Sequence, residues 1–176
     1  MPGLVVHVAG PGEVAPEAYY ATRYAVLRKP LGRPRGSERL ADDDRALHVW
    51  IEVEGNVVAV ARGHLIEGDG AAADHSGPGA AQIPSFSALR HAASELRPAM
   101  QVRQMVVLEP WRGTGLGAMA LDHLLRASVR TWGARTGWLQ ARTGAIGFYA
   151  RMGWEAIDPP YSIEGAGGGV VAAQCG

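Results

Sequence analysis

Arg112-Gly113-Thr114-Gly115-Leu116-Gly117 lies between two stretches of different character, Val102 to Leu108 and Gly115 to Trp132. The first is apolar and β-branched, which predicts a buried strand closed by Glu109-Pro110. In the second, Leu121, Leu124, Leu125, Val129 and Trp132 form one stripe while Asp122, Arg126 and Arg130 face away, the pattern of an amphipathic helix. The first turn of a helix leaves backbone N–H groups without partners and carries about half a positive charge. Glycines at alternate positions remove the side chains that would hold an anion off those donors. Arg112 adds a guanidinium fork suited to phosphate oxygens. Each charge-assisted hydrogen bond contributes about 1.5–3 kcal/mol, so three or four would hold a pyrophosphate. A glycine-rich turn can also form simply to pack against its sheet; the arginine directly before it favours an anion site.

A dinucleotide is the rival ligand, because Gly113, Gly115 and Ala118 satisfy G-x-G-x-x-[GA]. The motif begins too late in the chain for a dinucleotide fold, and the next strand, Trp138 to Ala141, brings no Asp or Glu for a ribose. Arg142 could meet a 2′-phosphate, which keeps an NADP-binding protein as a further option.

Working outward, Ala145, Phe148, Tyr149 and Met152 recur at helical spacing and predict two turns ended by Gly153. Trp154 to Ile157 and Val170 to Ala173 read as closing strands around a loop at Gly165 to Gly168. Toward the N-terminus, Leu4 to Val8 reads as a strand and Ala18 to Arg28 as a helix, with Pro16 near its start. Leu47, Val49, Ile51 and Val53 alternate on one face, and Glu54-Gly55-Asn56 turns the chain into Val57 to Ala61, a hairpin. Arg33-Pro34-Arg35-Gly36 is followed by Asp42-Asp43-Asp44, so the charges largely cancel and a solvated loop is expected rather than a phosphate patch. Ile66 to Pro98 is loop-like, with a short helix expected within Phe86 to Leu96.

The totals exclude several classes. The chain has 176 residues, 17 basic and 17 acidic side chains and one cysteine, Cys175. A single domain spanning 1–176 of the α/β class, with no disulfide framework, is expected. Zero net charge argues against nucleic acid as a partner. No run is long and apolar enough for a membrane helix, and the first ten residues do not read as a signal peptide, so a cytoplasmic protein is expected. Lys29 is the only lysine and follows no G-x-x-x-x-G pattern, which excludes a Walker-type phosphate loop. The six histidines show no paired metal-ligand spacing, so no metal is expected.

The order strand, Arg112–Gly117, long helix, strand, then Phe148-Tyr149-Ala150-Arg151-Met152-Gly153-Trp154 resembles the GNAT superfamily of acetyl-CoA-dependent N-acetyltransferases. Members carry [RQ]-x-x-G-x-[GA] and, about 35 residues later, F-Y-x-x-x-G-[FYW]. Both match in order and spacing over Gln101 to Ile157, and the outer segments are similar to a poorly characterised bacterial branch. The resemblance implies a mixed, mostly antiparallel sheet flanked by helices, with the fourth and fifth strands splayed. It implies acetyl-CoA as co-substrate and acetyl transfer to a primary amine, carried by a small molecule or a peptide, by direct attack. Backbone groups of Met105, Val106 and Val107 would pair with pantetheine. Arg112, Gly113, Thr114, Gly115, Leu116, Gly117 and Ala118 would hold the pyrophosphate, with Phe148 also at the coenzyme. Tyr149 aligns with the tyrosine that protonates the departing thiolate. Many members are homodimers, and a homodimer is admitted here. The sequence departs from the pattern where Gln101 replaces an early strand glutamate, and where Gln140 and the Gly165–Gly168 turn lack histidines. No base is assigned among His48, Glu52, His64 and Glu109. The other-class alternative is a non-catalytic acyl-CoA-binding or sensing domain.

Overall fold

The computed structural model describes residues 2–68, 86–90, 95–157, 161–163 and 166–175. In chain order the elements are β1 (Leu4–Ala9), α1 (Glu17–Leu27), β2 (Leu47–Val53), β3 (Asn56–Leu65), β4 (Ala99–Val107), α2 (Leu116–Trp132), β5 (Thr136–Arg142), α3 (Ile146–Arg151), β6 (Glu155–Ala156), β7 (Tyr161–Ile163) and β8 (Ala166–Gln174). The expected α/β architecture is present, a mixed sheet with flanking helices. Contacts group Met1–His64 with Val102–Thr131 in one unit, and Leu65–Gln101 with Trp132–Gly176 in another. Among the described residues no helix is long and apolar enough to cross a membrane.

In the first unit β1 and β2 pair antiparallel from Leu4↔Val53 to Ala9↔His48, and β2 turns through Glu54-Gly55 into β3. Glu54 and Gly55 both have positive φ, 52° and 80°, as a tight two-residue turn of this hand requires. The alternation of β2 predicts one buried face. In fact Leu47, Val49, Ile51 and Val53 are buried on one side, and His48 and Trp50 on the other. The reason is α1: Tyr19 meets the rings of His48 and Trp50 edge-on at 5.2 and 5.7 Å. Tyr19, Tyr20, Trp50, Val57, Val60 and Val106 form the core of this face. Pro16 precedes the first turn of α1, as the sequence suggests.

Helix α2 buries Leu116, Gly117, Ala120, Leu121, Leu124, Ala127 and Ser128. This corrects the expected stripe: Val129 is exposed, and Leu125 and Trp132 are half-buried. Small residues join Leu116, Leu121 and Leu124 on the packed face, so the stripe sits rotated from the one that side-chain size alone suggests.

In the second unit β8 is central. It pairs antiparallel with β5 from Thr136↔Gln174 to Arg142↔Gly168, and carries β6 and β7. Residues 99–101 of β4 run parallel to Thr136, Gly137 and Trp138. Parallel pairing requires a long crossover, which residues 108–135 supply through α2. Gly167 and Gly168, expected in a loop, are strand residues opposite Ser162 and Tyr161, and β7 is an additional strand. Within the Phe86 to Leu96 span where a helix is expected, the described residues hold a 3₁₀ turn at Ser87–Leu89. Residues 91–94 of that span, and 69–85 before it, lie outside the described residues. Ile66, Phe86, Leu89, Ala99, Trp138 and Val170 form this unit's core. Arg97 donates to the carbonyls of Ile66 at 3.2 Å and Leu89 at 2.6 Å, which ties the flanks of this stretch together.

Candidate functional site

Glu109–Trp111 forms a 3₁₀ turn between β4 and the glycines. Trp111 N–H donates to the Leu108 carbonyl at 2.9 Å, and Thr114 donates its hydroxyl to the Trp111 carbonyl. Gly113 and Gly115 have φ of 78° and 86°. An added Cβ at either would meet no atom within 4 Å, so glycine is required by backbone conformation and not by packing. The Gly115 carbonyl accepts from Met119 at 3.0 Å and opens α2, so Leu116, Gly117 and Ala118 supply the first-turn N–H groups. Arg112 is exposed, and its Nε donates to the Val107 carbonyl at 3.1 Å, which fixes the guanidinium beside the loop. Residues 112–115 are exposed while Leu116 and Gly117 are buried, so the loop is anchored at its helical end and open at the other.

Strand β4 holds a feature without a sequence signal. Gln104 has φ of 58°, inside a strand and without the local hydrogen-bonding capacity that favours Asn or Asp in this conformation. Such strain persists only where surroundings over-determine it. It interrupts the alternation immediately before Met105, Val106 and Val107, of which Val106 is buried and the other two half-buried.

Tyr149 lies in α3, with ring contacts to Phe148 at 5.0 Å and Trp154 at 5.9 Å, both edge-on. Its carbonyl accepts from Met152 and Trp154, each at 3.0 Å, and Gly153 with φ of 89° lets the chain turn back between them. The F-Y-x-x-x-G-W spacing is thus a self-contained helix end that fixes the tyrosine. Burial pushes the Tyr149 phenol up to about 12.

The structure also assembles an ionic network from α1, β2, β3 and the turn Asp43–Arg45. Arg23 and Arg62 are fully buried. Asp43 accepts from Arg23 at 3.3 Å and from Arg62 at 2.7 Å, and Asp42 accepts from Arg62. The Arg23 guanidinium also sits over the rings of Tyr19 and Tyr20 at 5.4 and 5.2 Å. Asp42 and Asp43 are therefore not part of the solvated half of a cancelling loop, whereas Asp44 is exposed as expected. Burial tends to raise the Asp43 carboxyl, but Arg23, the Leu40 N–H and Arg62 together hold it below the usual range. The Tyr19 hydroxyl lies 2.8 Å from His48 Nδ1, and His48 Nε2 lies 2.7 Å from the Asp43 carbonyl. Since a carbonyl only accepts, Nε2 carries the proton and Tyr19 donates to Nδ1.

Of the candidate bases, His48 is committed to this network and Glu52 pairs with His7 at 3.5 Å. His64 is half-buried and Glu109 exposed. Burial, then Arg23 and Arg62, outweigh Asp43 and keep His48 below its ordinary value, so neutral His48 favours the fold. That contribution is complete above pH about 6.5 and is lost as pH falls below it, with a slope of at most about 1.4 kcal/mol per pH unit. Thermal melting between pH 7 and 5 should therefore show falling stability in the wild type and a flatter profile in His48→Gln.

A family model described as Acetyltransferase (GNAT) family matches residues 15–154. The curated relative "Uncharacterized N-acetyltransferase YitI" of Bacillus subtilis (strain 168) is 29% identical over 89 residues, 51% of this chain and 59% of that protein. The chain thus aligns with under two thirds of that relative's length. FeeM, an N-acyl amino acid synthase from uncultured soil microbes, superimposes with a TM-score of 0.70 at 13% identity, covering 99% of this chain and 92% of that one. A GNAT family acetyltransferase from Elizabethkingia anophelis with acetyl-CoA bound gives 0.57 at 8% identity, covering 99% of each chain. At such identities the two structures speak for the fold. The chain belongs to the GNAT acetyltransferase family.

Proposed function

We propose that the chain is one acetyltransferase domain that binds acetyl-CoA and transfers its acetyl group directly to a primary amine. The observation that carries this reading is the loop Arg112–Gly115 at the start of α2, in a chain of this family. Two glycines in the left-handed region aim backbone at the N-terminus of a seventeen-residue helix, with an arginine fixed beside it. In the proposed role Gly113, Thr114 and Gly115 shape the loop, the N–H groups of Leu116, Gly117 and Ala118 meet the pyrophosphate, and Arg112 adds charge. Backbone groups of Met105, Val106 and Val107 take the pantetheine as an added strand, and Phe148 contributes an apolar wall.

A thioester is already activated, so positioning does most of the work, up to about 7–11 kcal/mol. The amine nitrogen forms the new C–N bond, the C–S bond breaks, and the thiolate takes a proton, which in this reading comes from Tyr149. An amine of pKa about 10.4 costs about 4–5 kcal/mol to deprotonate at pH 7, so its proton leaves through a base or water chain. Gln101, buried in β4, offers no carboxylate for that task, which is the observation favouring a coenzyme-binding sensor instead.

Calorimetric titration with acetyl-CoA, then free-thiol release against a panel of amines, tests the reading. Acetyl-CoA binding with thiol release on at least one amine is expected. Gly115→Ala, which forces a Cβ into a left-handed backbone at about 1–2 kcal/mol, should weaken binding about tenfold. Binding without thiol release on any amine up to pH 9 would support the sensor, and NADPH binding in place of acetyl-CoA would refute both.

A further inference from the structure

We propose that Lys29, Arg33 and Arg35 form a docking surface for a carboxylate-rich peptide segment of a partner protein. In the sequence these cations are followed so closely by acids that their field cancels. The fold undoes the cancellation. Asp42 and Asp43 are taken up by Arg62 and Arg23. Glu38 is 3% exposed and accepts the Gly36 N–H at 2.9 Å. Arg39 is matched by Glu17 at 2.6 Å, and exposed Asp44 and Arg45 offset each other in charge. Lys29, Arg33 and Arg35 remain exposed, with no ion pair to a carboxylate among the described residues.

The segment that carries them is held from several sides. Leu31 and Arg33 donate to the Arg28 carbonyl, each at 3.1 Å, and Gly32 donates to Lys29 at 3.0 Å. The Tyr24 hydroxyl donates to the Arg33 carbonyl at 3.1 Å, and the Arg35 guanidinium lies 4.8 Å over the Tyr24 ring. Arg28 Nε donates to the Ser37 carbonyl at 3.1 Å. A backbone already held in place removes part of the ordering cost when a partner binds. The negative end of α1 accounts for one nearby cation, not for three within seven residues.

Charge complementarity requires an anionic occupant. A nucleic acid needs many phosphate contacts along an extended basic face, and the chain's total charge is zero. Three cations on one short segment match a short acidic segment, with electrostatic steering and a strong salt dependence. This surface stands independently of the acetyl-transfer reading.

The test is fluorescence anisotropy with a labelled peptide of about eight residues rich in Glu and Asp, in about 20 mM and about 300 mM salt. A Gln/Asn analogue and a single-stranded RNA of equal charge serve as competing probes. The acidic peptide should bind at low salt and weaken as salt rises, and the analogue should not bind. The variant Lys29→Ser, Arg33→Ser, Arg35→Ser should bind at least about tenfold more weakly, with urea unfolding and acetyl-CoA affinity unchanged. Should that variant be unstable, Arg33→Glu alone, whose backbone keeps the Tyr24 bond, must show the loss. The proposal is overturned if the peptide fails to bind the wild type, if both variants bind as the wild type does, or if the RNA binds more tightly.

Discussion

Replacing Asp43 with alanine is expected to lower stability by about 3–5 kcal/mol, read as a shifted midpoint in urea with an unchanged slope. One carboxylate accepts from Arg23, Arg62 and the Leu40 N–H, and both arginines are fully buried. Removing it leaves two guanidinium groups facing each other's charge without enough acceptor. Arg23 Nε and Nη2 and Arg62 Nη1 already lack hydrogen-bond partners among the described residues, so little reserve exists. A chain of this kind has about 5–15 kcal/mol in total, so the loss is a large share of its stability. Asp43→Asn, which keeps an acceptor without the charge, should fall between. Replacing all three charged groups together with Arg23→Met, Arg62→Met and Asp43→Leu should recover much of the loss, because a buried ion cluster often contributes no more than apolar side chains of similar volume. A loss below about 1 kcal/mol in Asp43→Ala would show that Asp42 alone compensates Arg62 and that Arg23 rests on the tyrosine rings.

The same network shows where sequence reading stops. The hairpin was legible because Glu54-Gly55 and the alternation around it act between near neighbours, and the glycine loop because positive φ and a helix start leave local marks. Arg23, Asp43 and Arg62 are 19–20 residues apart along the chain, and nothing local distinguishes them from solvated charges. Their burial follows from α1 laying Tyr19 across the second face of β2, a tertiary event that covers His48 and Trp50 on a face that reads as half-polar. Gln104 is illegible for another reason. Its left-handed backbone is one that glutamine has no intrinsic preference for, so the residue type carries no mark of it. The rotated stripe of α2 follows the same rule, since Ala120, Ala127 and Ser128 are buried by close approach and not by hydrophobicity.

Tyr149→Phe is expected to reduce turnover about 10–100-fold and to leave acetyl-CoA affinity nearly intact. The substitution is selective because the ring contacts with Phe148 and Trp154 and the two hydrogen bonds to the Tyr149 carbonyl involve no hydroxyl. Phenylalanine keeps all of them, and a urea midpoint measured beside the rate separates loss of the hydroxyl's chemistry from loss of stability. The size of the effect is limited by acidity. A thiol in water has pKa about 8.5, so proton transfer from a phenol pushed up to about 12 runs uphill unless the same dry surroundings make the departing thiolate more basic. In the proposed role Tyr149 would act chiefly as a hydrogen-bond donor while charge develops on sulfur, completing the transfer as the C–S bond breaks. The sign of the pH dependence follows: the donor is present below its pKa and is lost only as pH approaches 12, so no alkaline decline below about pH 10.5 belongs to it. A decline that begins earlier in the wild type and is absent from Tyr149→Phe would contradict this assignment. Tyr149→Ala supplies the contrast, since it should lose stability together with rate by removing the ring that Trp154 packs against.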